Sequence, residues 1–373
     1  MLVYSEIKVL NSEFSEFNLK RLRVKTRFKL IVFCCVSDIF QDTFDWMEDY
    51  GKDSLVVIWN PMEVGCWDQS WIDRLNAKVC DRDFEFVYIT GAGPDANLSE
   101  FFNIKFDYKY LSVFDTSVVD LWNVNTNNIP GPLDIWVHKY KKFTFLNRKD
   151  AVHRRYILSR LHQSKLIDDG VISFQLADNS DIFLATNDLT TSSDFTDSGL
   201  EYIKMQCKNT PALPIYIEDD QTTNSDNYST SACNTLLRNT HHNTYVSIVS
   251  ETFLTYPTDS FKQTFITEKT FNSIASNQIF FIAGHPHSLE LLKKLGYKTF
   301  GSIIDESYDN IISHQERLFA VTREITRFLN RPEGEIATDY ANVVSIIEHN
   351  RDLLFSQNLK YKMQQFFDIY FNQ

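Results

Sequence analysis

A chain of 373 residues, 43% hydrophobic and 23% charged, has the balance of an ordinary soluble globular protein and the length for two domains. Its 37 basic against 49 acidic side chains leave a net charge of −12, which disfavours nucleic acid as a partner without excluding a local basic patch. Eleven glycines, with no G-x-G-x-x-G and no G-x-x-x-x-G-K-[ST], argue against the glycine-fingerprint dinucleotide and P-loop classes.

The six cysteines (Cys34, Cys35, Cys66, Cys80, Cys207, Cys233) contain no C-x-x-C pair, so reduced thiols are expected and a zinc site is not. Met1 to Glu6 show neither the charged nor the apolar region of a secretory signal. No apolar run approaches the ~20 residues of a membrane span. A cytoplasmic location without a membrane span is the expectation.

In chain order, apolar runs at Lys29–Val36, Ser54–Trp59 and Phe84–Thr90 predict buried strands. Helical patterns such as Trp67–Val79 lie between them. Strands alternating with helices imply a parallel sheet with right-handed crossovers. The turn-rich stretch Asn123–Pro132 marks the approach to a linker. A second series opens with a strand at Lys142–Leu146, a helix over Ala151–Lys165 and a strand at Val171–Phe174. Asp178–Ser231 is rich in Ser, Thr, Asn and Asp and reads as a loop-rich insertion, interrupted by the apolar Leu213–Ile217. Order returns with a strand at Thr244–Val249, a helix over Thr270–Ser276, a strand at Ile279–Ala283 and a helix over Ser288–Leu295. A short strand near Lys298–Phe300 and helices over Ile311–Leu329, Asp339–His349 and Arg351–Phe371 complete the pattern. In the last of these, Leu353, Leu354, Leu359, Met363, Phe366, Phe367 and Tyr370 recur at helical spacing, so one face is expected to be buried.

Several polar residues stand at strand ends and helix starts, where α/β proteins hold phosphorylated ligands. Arg148 follows a strand, and His153 and Arg154 lie on the first turns of the next helix. A guanidinium matches phosphate geometry as a planar fork, although Arg154 and Arg155 equally suit a solvated helix face. Glu251 follows a strand directly. Thr267 is a natural N-cap for the helix that Glu268 and Lys269 open. Glu268 can accept from the two hydroxyls of a ribose. A lysine at a helix start opposes the helix dipole, so Lys269 calls for an anion nearby. Gly284 ends the apolar strand before His285-Pro-His287, which suits a turn better than a metal site. Asp305 or Ser307 reads as a helix cap. An apolar strand ending in Glu218-Asp219-Asp220 offers a rival, a divalent cation held against a diphosphate.

Val249-Ser-Glu-Thr252, then Phe265-Ile-Thr-Glu-Lys-Thr-Phe271 and Ile279-Phe-Phe-Ile-Ala-Gly284, resemble the donor-binding half of the α1,3-fucosyltransferases. The segments 143–154 and 295–309 are similar to a looser group of viral and bacterial glycosyltransferase-type proteins. The resemblance spans roughly residues 142–318 and does not extend into the first 140. It implies an α/β chain of two doubly wound, Rossmann-like domains facing across a cleft, the GT-B architecture. Residues 1–140 would form the acceptor-side domain and 141–345 the nucleotide-sugar domain, with 346–373 a C-terminal helix packing back on the first. It further implies that Glu268 holds the ribose and that Lys269 and Arg148 hold the diphosphate. One base near the acceptor hydroxyl is needed for an inverting transfer, and Glu63, Asp68 and Asp95 are the candidates. Two fixed cations can replace a metal, so no cofactor is expected beyond the nucleotide sugar itself. The acceptor would be a glycan, a protein or a small molecule. The metal-dependent alternative uses Glu218, Asp219 and Asp220. A non-catalytic sugar- or nucleotide-binding protein is the rival outside enzymes.

Overall fold

The computed structural model describes residues 139–147, 151–174, 244–254 and 264–357 in full. It also describes the backbone of seven strands between Val3 and Tyr110, and isolated helical positions at 115, 118, 119, 198, 199, 202, 203, 205, 362 and 365. Contacts divide the chain into two units, Met1–Thr116 with Gln357–Gln373, and Ser117–Ser356.

The first unit contains β1 (Val3–Ser5), β2 (Lys8–Leu10), β3 (Val24–Thr26), β4 (Lys29–Cys34), β5 (Ser54–Asn60), β6 (Glu85–Thr90) and β7 (Asp107–Tyr110). Strands β2-β4-β5-β6-β7 form a parallel sheet in that order, and β1 pairs with β3 antiparallel. The apolar runs of the sequence are β4, β5 and β6. The others are three or four residues long and each carries a polar residue, Ser, Thr, Lys or Asp, beside its apolar ones, too short for a periodic signal. Within this unit Lys362 Nζ pairs with Asp115 Oδ2 at 2.6 Å, tying a C-terminal residue to one far ahead of it in sequence.

The second unit is built on β8 (Lys141–Asn147), β9 (Gly170–Phe174), β10 (Thr244–Ser250) and β11 (Ile279–Ala283). The sheet is parallel throughout, in the order β9-β8-β10-β11. Every residue of β10 and β11 is buried, as expected of strands covered on both faces. Among the described residues, six α-helices have both ends defined: α1 (Val152–Gln163), α2 (Glu268–Ala275), α3 (Ser288–Lys294), α4 (His314–Leu329), α5 (Glu333–Asn342) and α6 (Val344–Ser356).

Register decides which helix covers which face. Ile248 is paired with Phe281, so both point to one side. Phe281 meets Phe328 of α4 edge-on at 5.6 Å, and Phe319 of α4 meets Tyr156 of α1 at 5.3 Å. Thus α1 and α4 cover the Ile248 face. On the other face Ser247 accepts from Ser273 of α2 at 2.8 Å. Phe280 packs on Phe300 at 5.0 Å, and Tyr245 on Tyr340 of α5 at 5.6 Å. Helix α6 packs on α2. Among the described residues no helix is long and apolar enough to cross a membrane.

Three elements differ from the sequence reading. Lys298–Phe300 is not a strand. Its backbone is paired with side chains: Lys298 N donates to Asn350 Oδ1 at 2.7 Å, Asn350 Nδ2 donates to Lys298 O at 2.8 Å, and Phe300 N donates to Glu306 Oε1 at 2.6 Å. The 339–349 helical pattern is two helices meeting at Val343, with α5 fixed by Tyr340 Oη donating to Asn277 O at 2.8 Å. Arg351 lies inside α6, which ends at Ser356, so Leu353 and Leu354 belong to a helix of the second unit. Leu359, Met363, Phe366, Phe367 and Tyr370 lie outside the described residues.

Candidate functional site

Strand order reverses between β8 and β10. The chain leaves β8 towards β9 on one side, then returns to lay β10 and β11 on the other. Carboxyl ends at such a reversal diverge into a crevice where open α/β sheets bind ligands. The residues bordering it are Asn147 at the end of β8, Ser250 and Glu251 at the end of β10, and the first turns of α1 and α2.

Glu251 is fully buried, and its carboxylate faces the start of α2. It accepts from Thr267 N at 3.1 Å, from Thr267 Oγ1 at 2.6 Å and from Thr270 Oγ1 at 2.7 Å. A carboxylate at a helix N-terminus meets both the dipole and the orphan N–H groups. Thr267 is the N-cap, its Oγ1 accepting from Lys269 N at 3.4 Å. The spacing Thr267-x-x-Thr270 therefore serves Glu251 from both ends of one helical turn. A strand ending in Glu, followed by Thr-x-x-Thr at a helix start, was the available sequence signal for Thr270.

Gly284 makes room for this arrangement. A Cβ there would lie 3.2 Å from both Glu251 Cβ and Glu251 Cγ. Its carbonyl accepts from Arg317 Nε at 3.0 Å. The buried Arg317 also donates to Leu254 O and, at 2.7 Å, to Ile311 O, joining three loops at this edge of the sheet.

Lys269 extends from the helix start towards the β10 loop. Its Nζ donates to Thr252 Oγ1 at 2.9 Å and Thr267 Oγ1 at 3.3 Å, and lies 3.6 Å from Glu268 Oε1. The Lys269 side chain is 32% exposed and that of Glu268 44%, so both can reach a ligand. Thr252, which sequence reading did not single out, thus orients the cation.

His153 and Arg154 are buried, and Arg155 with them, so none forms a solvated face of α1. His153 Nε2 and Arg154 Nη2 converge on Glu251 O at 3.3 and 3.2 Å. The carbonyl accepts, which requires the Nε2–H tautomer of the imidazole. Burial first, then the Arg154 and Lys269 charges, push the His153 pKa down to about 3. The site thus gathers Arg154 and Lys269 around a histidine kept neutral.

Other expectations resolve locally. His287 adopts a left-handed conformation with φ of 64° just before α3 and pairs with Glu290 at 3.1 Å, in keeping with turn chemistry. Asp305 caps a 3-10 segment (Glu306–Asn310) by accepting from Ser307 N at 3.0 Å. Arg148, Glu63, Asp68, Asp95 and the Glu218-Asp219-Asp220 cluster lie outside the described residues.

No family model matches the chain, and no curated protein matches it. Among solved structures it is similar to an alpha,alpha-trehalose-phosphate synthase (UDP-forming) from Burkholderia vietnamiensis. The two are 11% identical over 93% of this chain and 74% of that one, with a TM-score of 0.41. A likeness that slight carries no argument. The α/β assignment rests on strand order and register.

Proposed function

We propose that this chain is a glycosyltransferase that moves a sugar from a nucleotide-sugar donor to an acceptor hydroxyl, on a GT-B architecture with the donor bound by residues 141–345. One observation carries the reading. Lys269 Nζ stands part-exposed at a strand-order reversal, held by two threonine hydroxyls and a long 3.6 Å contact to Glu268. A cation so placed is positioned for an incoming anion.

The chemistry follows from charge. As the glycosidic bond breaks, negative charge grows on the departing nucleoside diphosphate. Fixed cations aimed at it stabilise the transition state more than the ground state. Lys269 and Arg148 supply that charge, so the reaction needs no metal. Glu268 takes the ribose hydroxyls. Glu251 and Thr267 hold the start of α2, and with it Lys269, in register with the strand ends. His153, neutral, adds a dipole rather than a charge. Inversion requires one base at the acceptor hydroxyl, drawn from Glu63, Asp68 and Asp95.

The test is a thermal-shift screen of UDP, GDP and their sugar conjugates, followed by donor hydrolysis in excess EDTA. A true donor nucleotide at 100 times its Kd adds roughly 2.7 kcal/mol of stability. Hydrolysis that survives EDTA supports the metal-free scheme. Strict dependence on Mn²⁺ or Mg²⁺, abolished by Asp219→Ala, transfers the role to the acidic cluster. No response to any nucleotide overturns the reading.

A further inference from the structure

At the floor of the β8/β10 reversal lie two buried polar side chains with unmet hydrogen-bonding capacity. Asn147 and Ser250 are each 3% exposed. Among the described residues, neither Asn147 Nδ2 nor Ser250 Oγ has a hydrogen-bond partner. Register joins them. Thr244 is paired with Lys141 and Ser247 with Thr144, and three residues further that register sets Ser250 beside Asn147. They are the last residues of two adjacent parallel strands, so both point to the same face, the one α1 covers.

The N-cap of α1 is Ala151, which provides no capping side chain, and its first turn holds no acid. The first N–H groups of a helix need partners, and the dipole there favours an anion. This turn instead carries Arg154, whose Nη2 reaches Glu251 O, the residue next to Ser250. A helix start whose N-cap residue offers no side chain, a cation in its first turn and two buried donors that lack partners among the described residues therefore meet at one end of the sheet. Burying a donor without an acceptor is costly, so such groups are rare unless something fills them.

We infer that Asn147 and Ser250 form a donor pair for an oxygen of the diphosphate, received together with the N-terminus of α1. The inference rests on the proposed nucleotide-sugar site and assigns it two specificity-determining residues. The pair reads phosphate oxygen as a neutral acceptor-seeking floor, while Lys269 supplies charge. It favours a diphosphate over a carboxylate of similar charge, because a tetrahedral anion has oxygens for the strand-end donors and the helix N–H groups at once.

The test uses the full chain, with inorganic pyrophosphate, UDP and GDP as probes in isothermal titration. Ser250→Ala and Asn147→Leu should each weaken the best of these probes by about tenfold, the usual effect of one lost buried hydrogen bond to an anion. Asn147→Asp, which sets a carboxylate in place of the amide donor, should weaken it further. The thermal midpoint of the unliganded protein should hold or rise for Ser250→Ala and Asn147→Leu, since each removes a polar group unsatisfied in the free state. A wild type that binds UDP or GDP, with variants that bind equally well, overturns the inference and leaves the proposed function standing. Binding of pyrophosphate that the variants weaken, without any effect of a nucleoside, supports the anion pair and overturns the nucleotide-sugar reading. Failure of the wild type to bind any of the three probes overturns both. Variants that weaken binding only in proportion to a lowered thermal midpoint also overturn the inference, because the pair would then be structural.

Discussion

Thr267 gives both its backbone N–H and its hydroxyl to the carboxylate of Glu251, at 3.1 and 2.6 Å. Through this contact the end of β10 sets the position of the helix that carries Lys269. Glu251→Ala should therefore destabilise the protein by about 2–4 kcal/mol, because three donors lose their acceptor inside the protein. Urea unfolding measures it. A loss below about 0.5 kcal/mol would show that the carboxylate is not structural.

Gly284→Ala tests the same contact from the other side. Its Cβ would stand 3.2 Å from Glu251 Cβ and Cγ, closer than comfortable packing. The expected cost is about 1–2 kcal/mol. The Glu251 side chain has to shift, so nucleotide affinity should fall along with the denaturation midpoint. An unchanged midpoint would mean that β11 and the loop after β10 separate freely.

Lys269→Met separates binding from folding. The Lys269–Glu268 pair is part-exposed and spans 3.6 Å, so its loss should change stability by less than about 1 kcal/mol. Affinity for the nucleoside diphosphate that wild type binds should fall at least about tenfold, the scale of one charge-assisted contact. Titration calorimetry compares the two. Equal affinities would remove Lys269 from the site.

Acid should unfold the protein partly through His153. Its folded pKa is about 3 against an ordinary 6.5, so the folded state favours the neutral ring. This contribution is fully present above pH 6.5. Below it the unfolded chain takes up a proton that the folded chain refuses, and stability falls by about 1.4 kcal/mol per pH unit until the folded group titrates. Desolvation and the Arg154 and Lys269 charges set the deficit, and the hydrogen bond to the Glu251 carbonyl offsets it only in part. His153→Gln keeps a donor for Glu251 O without the titration. Unfolding midpoints of the two proteins should converge as pH falls from about 7 to about 5. Parallel curves would contradict a buried neutral imidazole.

Composition and periodicity carried much of the fold of the second unit. Long apolar runs such as Thr244–Ser250 and Ile279–Ala283 identify strands by themselves, because a strand covered on both faces has no polar side. The cap at Thr267 was legible for a similar reason: capping chemistry is local and needs only neighbours in sequence. What sequence could not give was strand order. That β10 lies beside β8, leaving β9 at the far edge, is a long-range pairing, and it alone turns Asn147 and Ser250 into neighbours. The role of Glu251 was hidden likewise. Its position after a strand suits ligand binding and helix support equally, and only the approach of Thr267 and Thr270 from 16 and 19 residues away shows where its carboxylate points. His153 and Arg154 read as polar residues of a helix start until packing buried them against the β10 end, where desolvation and neighbouring charge, invisible in a linear pattern, fix the state of the ring.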